Sequence, residues 1–187
     1  MSHPYDSLTP DRVVDCIEST GLVSDLRLLA LNSYENRVYQ VGIEGGTPII
    51  AKFYREGRWS DEQILEEHAF SAELVEHEIS VVAPLEINGA TLHHAHGQRF
   101  SVFERRGGHP PELDNLDHIY RLGQTLGRIH RIGSASNFKH RRDISAQRMA
   151  TESRLFVQDA FVPIELGTAY RTLAADCDAV ATEILAG

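Results

Sequence analysis

Arg37-Val38-Tyr39-Gln40-Val41-Gly42-Ile43, then Gly45-Gly46, then Pro48-Ile49-Ile50-Ala51-Lys52-Phe53-Tyr54, is the stretch that decides the fold. Its first arm alternates with period two, which puts Val38 and Gln40 on one face of a strand and Tyr39 and Val41 on the other. The two glycines read as a hairpin turn. The second arm is a third strand, apolar apart from Lys52. Such a turn is too short for a parallel crossover, so the sheet is expected to be antiparallel.

Upstream, Leu28-Leu29-Ala30-Leu31 reads as a first strand, and Asn32-Ser33-Tyr34-Glu35-Asn36 as a polar turn into the second. Thr9-Pro10 has the cap and first-position signature of a helix start; Val13, Val14 and Ile17 share a face, and Gly21 ends the helix. Downstream, Ser60 and Gln63 have capping-box spacing and open a helix over 61–76, with Ile64, Leu65, His68, Ala72 and Val75 near one stripe. Val81–Ile87, Asn88-Gly89 and Ala90–Ala95 read as a second hairpin, followed by a strand over 99–103. At Arg106-Gly107-Gly108-His109-Pro110-Pro111 the composition changes. Beyond it Asp117 can cap a helix carrying Ile119, Leu122, Leu126 and Ile129, where Gly123 and Gly127 would admit a neighbouring backbone. A helix over 145–156 follows. Pro163 starts a long one with Leu166, Tyr170, Leu173, Cys177, Val180 and Ile184 on one side. The expected domains are therefore residues 1–106, β-rich, and 107–187, helical.

The chain has 187 residues, 42% hydrophobic and 24% charged, with a net charge of −9. These values exclude a disordered, collagen-like or disulfide-stapled chain, and the acidity argues against broad nucleic-acid binding. No apolar run approaches the roughly 18 residues of a membrane span, and Met1–Thr9 has no signal-peptide pattern. A cytoplasmic protein is expected, with Cys16 and Cys177 as reduced core residues. Residues 121–148 carry +6, leaving −15 elsewhere; a solvated basic face is the expected reading.

Lys52 is the sharpest chemical signal. A lysine in a central strand must snorkel to the rim or find an anion, and Glu66 and Glu67 in the following helix are the candidate partners. Such a pair would hold the ammonium ready for phosphate oxygens. The polar turn 32–36 could offer N–H groups to phosphate, although it has no glycine. His93, His94 and His96 cluster, but adjacent strand residues point to opposite faces. They read as solvated histidines, and no metal site is expected. His130 reads as a buried, hydrogen-bonding histidine.

These motifs resemble the stress response kinase A family of bacterial Ser/Thr kinases, which has the aminoglycoside phosphotransferase and choline kinase-like fold. The resemblance lies in Leu31–Gln40, Lys52-Phe53-Tyr54-Arg55 with Arg58-Trp59, and Gln63–His68. Ala83-Pro84, Asn88-Gly89 and Leu126-Gly127-Arg128-Ile129-His130 agree too. It implies an α+β, protein-kinase-like two-lobe fold: an antiparallel N-lobe sheet with one packed helix, then the first helices of a helical C-lobe. It further implies ATP and Mg²⁺ as cofactors and a protein substrate. Asn32, Ser33, Tyr34 and Asn36 would cover the phosphates. Lys52 would meet the α/β-phosphates and Glu67, with Glu66 as alternative, would pair with it. Phe103, Glu104 and Arg105 would form the adenine hinge. The family's His-Gly-Asp-x-His-x-x-Asn loop and metal-binding Asp are absent from the sequence. The chain is thus expected to be a kinase's N-terminal part, inactive alone and prone to self-association through its helical stripes. A small-molecule kinase and a non-catalytic nucleotide-binding module are the competing readings.

Overall fold

The computed structural model describes residue 5 and residues 7–185. They form two compact units, 1–140 and 141–187. Strands give way to helices near the Gly/Pro run at 106–111, yet the first helix beyond it belongs to the first unit.

That unit is built on a five-stranded antiparallel sheet. Its strands are β1 (Ser24–Leu31), β2 (Arg37–Ile43), β3 (Ile49–Phe53), β4 (His93–Ala95) and β5 (Gln98–Glu104), in the order β1-β2-β3-β5-β4. β3 is central, as its apolar run requires. β1 starts four residues earlier than expected. Its register shifts between Ser24 and Leu28, where Leu26 has φ +66°, and this irregularity hides the alternation.

The second hairpin differs from expectation. Asn88 and Gly89 do form a tight turn, both with positive φ, and Ile87 and Ala90 exchange backbone bonds. The arms then part. Pro84 has no N–H to donate, and the 81–87 run packs Leu85 and Ile87 on the core but joins the sheet's backbone by a bridge from Pro84 to Phe103 and a 2.7 Å bond from the Leu85 N–H to the Val102 carbonyl. The real hairpin joins β4 to β5 through His96-Gly97, again both at positive φ.

Helix α1 (Pro10–Glu18) is capped by the Thr9 hydroxyl, which accepts from the Arg12 N–H at 3.3 Å. It buries Val13, Cys16 and Ile17 against Val41, Ile49, Ala51, Phe53, Phe100 and Val102. The main core therefore lies between the sheet and α1, a second packed helix beyond the one expected. Each large side chain buried there contributes about 1.5–3 kcal/mol. Burial also pushes the Cys16 thiol up to about 11, so it stays protonated.

Helix α2 (Asp61–Glu76) covers the opposite face. Both halves of the Ser60–Gln63 capping box are formed. The buried residues are Ile64, His68 and Leu74, whereas Leu65, Ala72 and Val75 of the expected stripe are exposed. The packed stripe runs through Ile64, His68, Ser71 and Leu74, rotated from the expected one because polar Ser71 lies on it. Helix α3 (Leu116–Gly133) is capped by Asn115, not Asp117, which falls in the first turn. Ile132 packs with Leu74 and Ile79. Gly123 and Gly127 face open space among the described residues, and His130 is exposed rather than buried.

The second unit holds a π-helical turn (Gln147–Glu152), α4 (Ser153–Phe161), a 3₁₀ turn (Ile164–Leu166) and α5 (Gly167–Leu185). Helix thus runs to Phe161, past the expected Phe156, and Pro163 caps the 3₁₀ turn instead of opening α5. Cys177 is exposed, not core. Asp178 accepts from the Thr151 hydroxyl at 2.7 Å and from Arg154 at 3.2 Å, which joins α5 to the preceding helical run. No helix among the described residues is long and apolar enough to cross a membrane.

Candidate functional site

Strand register assembles the site. Val38 lies opposite Lys52 and Lys52 opposite Ser101; Gln40 lies opposite Ile50 and Ile50 opposite Phe103. Alternation puts all six on the α2 side, away from the α1 core. β1 extends this face, with Leu31 beside Val38 and Leu29 beside Gln40. The result is a mostly apolar sheet face with Lys52 on its central strand and Arg99 at its β5 edge. The exposed Leu29 and the aligned Val38 and Ile50 went unremarked as site residues in the sequence, although their parity with Lys52 could have marked them.

Lys52 Nζ stands 3.5 Å from Glu67 Oε1 and 4.9 Å from the centre of the Tyr54 ring. The two charged side chains are 24% and 38% exposed. A pair that wet stabilises a fold by roughly 0–1 kcal/mol, so its consequence is where it holds the ammonium. Glu66 faces elsewhere: its carboxylate accepts the backbone N–H groups of Lys139 and His140. Gln63 Nε2 adds a 2.9 Å bond to the His140 carbonyl. Adjacent glutamates on one helix thus serve different neighbours.

A buried polar network fixes α2 beside Lys52. His68 Nε2 lies 2.9 Å from the Tyr54 hydroxyl and 3.4 Å from Ser101 Oγ, and Nδ1 lies 2.9 Å from Thr91 Oγ1. Unpaired, such a buried imidazole would cost about 1–3 kcal/mol. Sequence reading placed His68 on the helix stripe but had no signal for its partners.

The turn 32–36 lies at the β1–β2 end of this face. Ser33 Oγ reaches the Leu31 carbonyl at 3.5 Å, and Tyr34 projects fully into solvent. Glu35 is the best-connected residue of the turn. Its carboxylate accepts from Trp59 Nε1 at 2.8 Å and Arg58 Nε at 3.1 Å, and its carbonyl accepts from the Tyr5 hydroxyl at 2.7 Å. Asn36 Oδ1 accepts the Arg55 N–H at 3.4 Å. At the other end of the face, Phe103 is half-buried at the close of β5. Glu104 pairs with Arg106, and Arg105 Nε bonds Gln40 Oε1 at 2.8 Å. Glu104, Arg105 and Arg106, with Pro48, Ile49 and Leu85, line a recess of about 430 Å³.

The histidine cluster disperses. His93 is half-buried against Phe100, with ring centroids 5.4 Å apart. Burial, helped by the charge of His94, holds its pKa below the ordinary value. His94, exposed as expected, meets Asp61 through Nε2 at 3.0 Å, and His96, on the turn, is exposed as well. Among the described residues no three His, Cys, Asp or Glu side chains converge as a metal requires.

Residues 27–183 match the profile of the APH phosphotransferase enzyme family. Stress response kinase A of Escherichia coli strain K12 is 41% identical over 167 residues, which cover 89% of this chain and 51% of the relative. The serine/threonine protein kinase RdoA of Salmonella typhimurium strain LT2 is 41% identical over 156 residues, 83% of this chain and 48% of its own. The chain spans about half the length of the curated relatives it matches. Among solved structures, an amicoumacin kinase in complex with AMP-PNP, Ca²⁺ and Ami superposes with a TM-score of 0.61 at 23% identity, over 80% of this chain and 47% of that one. The kinase-like α+β fold is shared with that enzyme, and by the match over most of its length the chain belongs to the APH phosphotransferase enzyme family.

Proposed function

We propose that this chain carries the nucleotide-binding half of an ATP-dependent Ser/Thr protein kinase acting in a bacterial stress response. The observation that carries the reading is Lys52 on the central strand, held by Glu67 at 3.5 Å and facing an open sheet surface. Lys52 supplies positive charge to the α/β-phosphates and Glu67 orients it. Asn32, Ser33, Tyr34 and Asn36 cover the phosphates. The backbone of Phe103, Glu104 and Arg105 bonds adenine, with Val38 and Ile50 offering it apolar contact. Phosphoryl transfer is dominated by positioning and charge stabilisation, which these groups are suited to give. The names of the relatives support the protein-kinase and stress-response parts of the reading.

The acceptor class is tested with a protein of the relatives' full length containing this chain. Incubated with labelled ATP, it is expected to label a casein-like protein and leave amino alcohols and aminoglycosides unlabelled. Labelling of the small molecules alone would replace this reading with a small-molecule kinase. Nucleotide binding without transfer to either would favour a non-catalytic module.

A further inference from the structure

We propose that Glu35 is a positioning residue for phosphate binding, latching the 32–36 turn to the 55–59 turn in the shape that receives a nucleotide's phosphates. The inference rests on the nucleotide reading above. A phosphate-covering loop usually gets its shape from glycine, whose backbone reaches conformations closed to other residues. The turn 32–36 has no glycine, and none of its residues has a positive φ. Its shape is imposed from outside by the four bonds described above, from Trp59, Arg58, Tyr5 and Arg55. Three of them come from one short turn, 55–59.

That anchor is itself rooted. Arg99 of β5 donates through Nη1 to the Trp59 carbonyl at 2.8 Å and to Asp61 Oδ1 at 2.9 Å, and through Nη2 to the Arg55 carbonyl at 3.3 Å. Gly57, at φ +70°, lets the turn fold back, and the Arg58 guanidinium lies 5.1 Å from the centre of the Trp59 ring. The latch therefore ties the 32–36 turn to the strand beside Lys52 and to the first turn of the helix that carries Glu67. Partial burial works against ionisation of Glu35, but the bonds from Trp59 and Arg58 outweigh it and hold the carboxyl below its usual range.

The sign of the effect separates positioning from simple electrostatics. A carboxylate near a phosphate site repels the ligand, so removing its charge alone would tighten nucleotide binding. If Glu35 positions the loop, removing it weakens binding instead. Trp59 is the only tryptophan, so its fluorescence reports on the latch directly.

The experiment titrates the chain with a non-hydrolysable ATP analogue and, separately, with adenosine, by calorimetry. Trp59→Phe, which cuts one bond to the carboxylate, is expected to weaken the analogue about tenfold, the size of one charge-assisted hydrogen bond, and Glu35→Ala, which cuts both, at least as much. Adenosine, lacking phosphates, should change less than about twofold on the same argument. The double variant should be no weaker than Glu35→Ala alone, because that variant already cuts the Trp59 link. Glu35→Gln keeps an acceptor for Trp59 and should recover part of the affinity; if Glu35→Ala fails to fold, it and Trp59→Phe carry the test. In the wild type, the analogue should shift Trp59 emission and adenosine should not. Unchanged analogue affinity, equal losses for analogue and adenosine, or tighter binding by Glu35→Ala would each overturn the latch alone. Failure of the wild type to bind any nucleotide would overturn the nucleotide reading and the latch with it.

Discussion

Lys52→Met, in a protein of the relatives' full length, is expected to lower phosphotransfer about 10²–10³-fold, the loss typical for one charge-stabilising donor. Methionine keeps most of the stem and removes the ammonium, so the loss should fall mainly on kcat. Stability should move by less than about 1 kcal/mol, because the Lys52–Glu67 pair is partly exposed and such pairs contribute little to folding. Steady-state kinetics alongside a urea titration separates the two effects. Wild-type turnover in the variant would remove Lys52 from the chemistry.

Phe53→Ala should have the largest effect on stability. Phe53 is fully buried next to Lys52 in β3, stacked on Phe100 at 5.3 Å and edge-on to Tyr39 at 6.0 Å. Truncating a core phenylalanine costs about 3–5 kcal/mol, the transfer free energy plus the cavity left behind. Domains are stable by about 5–15 kcal/mol, so much of the margin would go. The urea midpoint should fall with the m-value preserved. A loss under about 1 kcal/mol, against the several expected for a filled core, would mean that the sheet–α1 core is not packed as described.

Much of this framework could be read from local pattern. β2 and α2 fall within the expected bounds because strict alternation and a capping box are short-range signals. Geometrically, Lys52 meets Glu67 because a lysine on a central strand and an acidic first half of the next helix leave few other arrangements. Elements governed by distant partners were not legible. The face α2 buries depends on Tyr54, Ser101 and Thr91 receiving His68. The 81–87 run failed as a strand because Pro84 lacks an N–H for a ladder and the expected partner arm pairs with β5 instead. Glu35 and Trp59 are 24 residues apart, and no periodicity links them. Cys177 has apolar helical neighbours in sequence, yet its place on α5 leaves it exposed.

In the proposed function a nucleotide seats on the β1–β2–β3–β5 face, between the 32–36 turn and the end of β5. Amide chemical shifts followed while a non-hydrolysable ATP analogue is titrated into the chain test this most directly. Saturable changes are expected at Asn32–Asn36, Lys52 and Phe103–Arg105, with α4 and α5 unmoved. Changes centred on α4 and α5, or none at Lys52 at saturation, would contradict it.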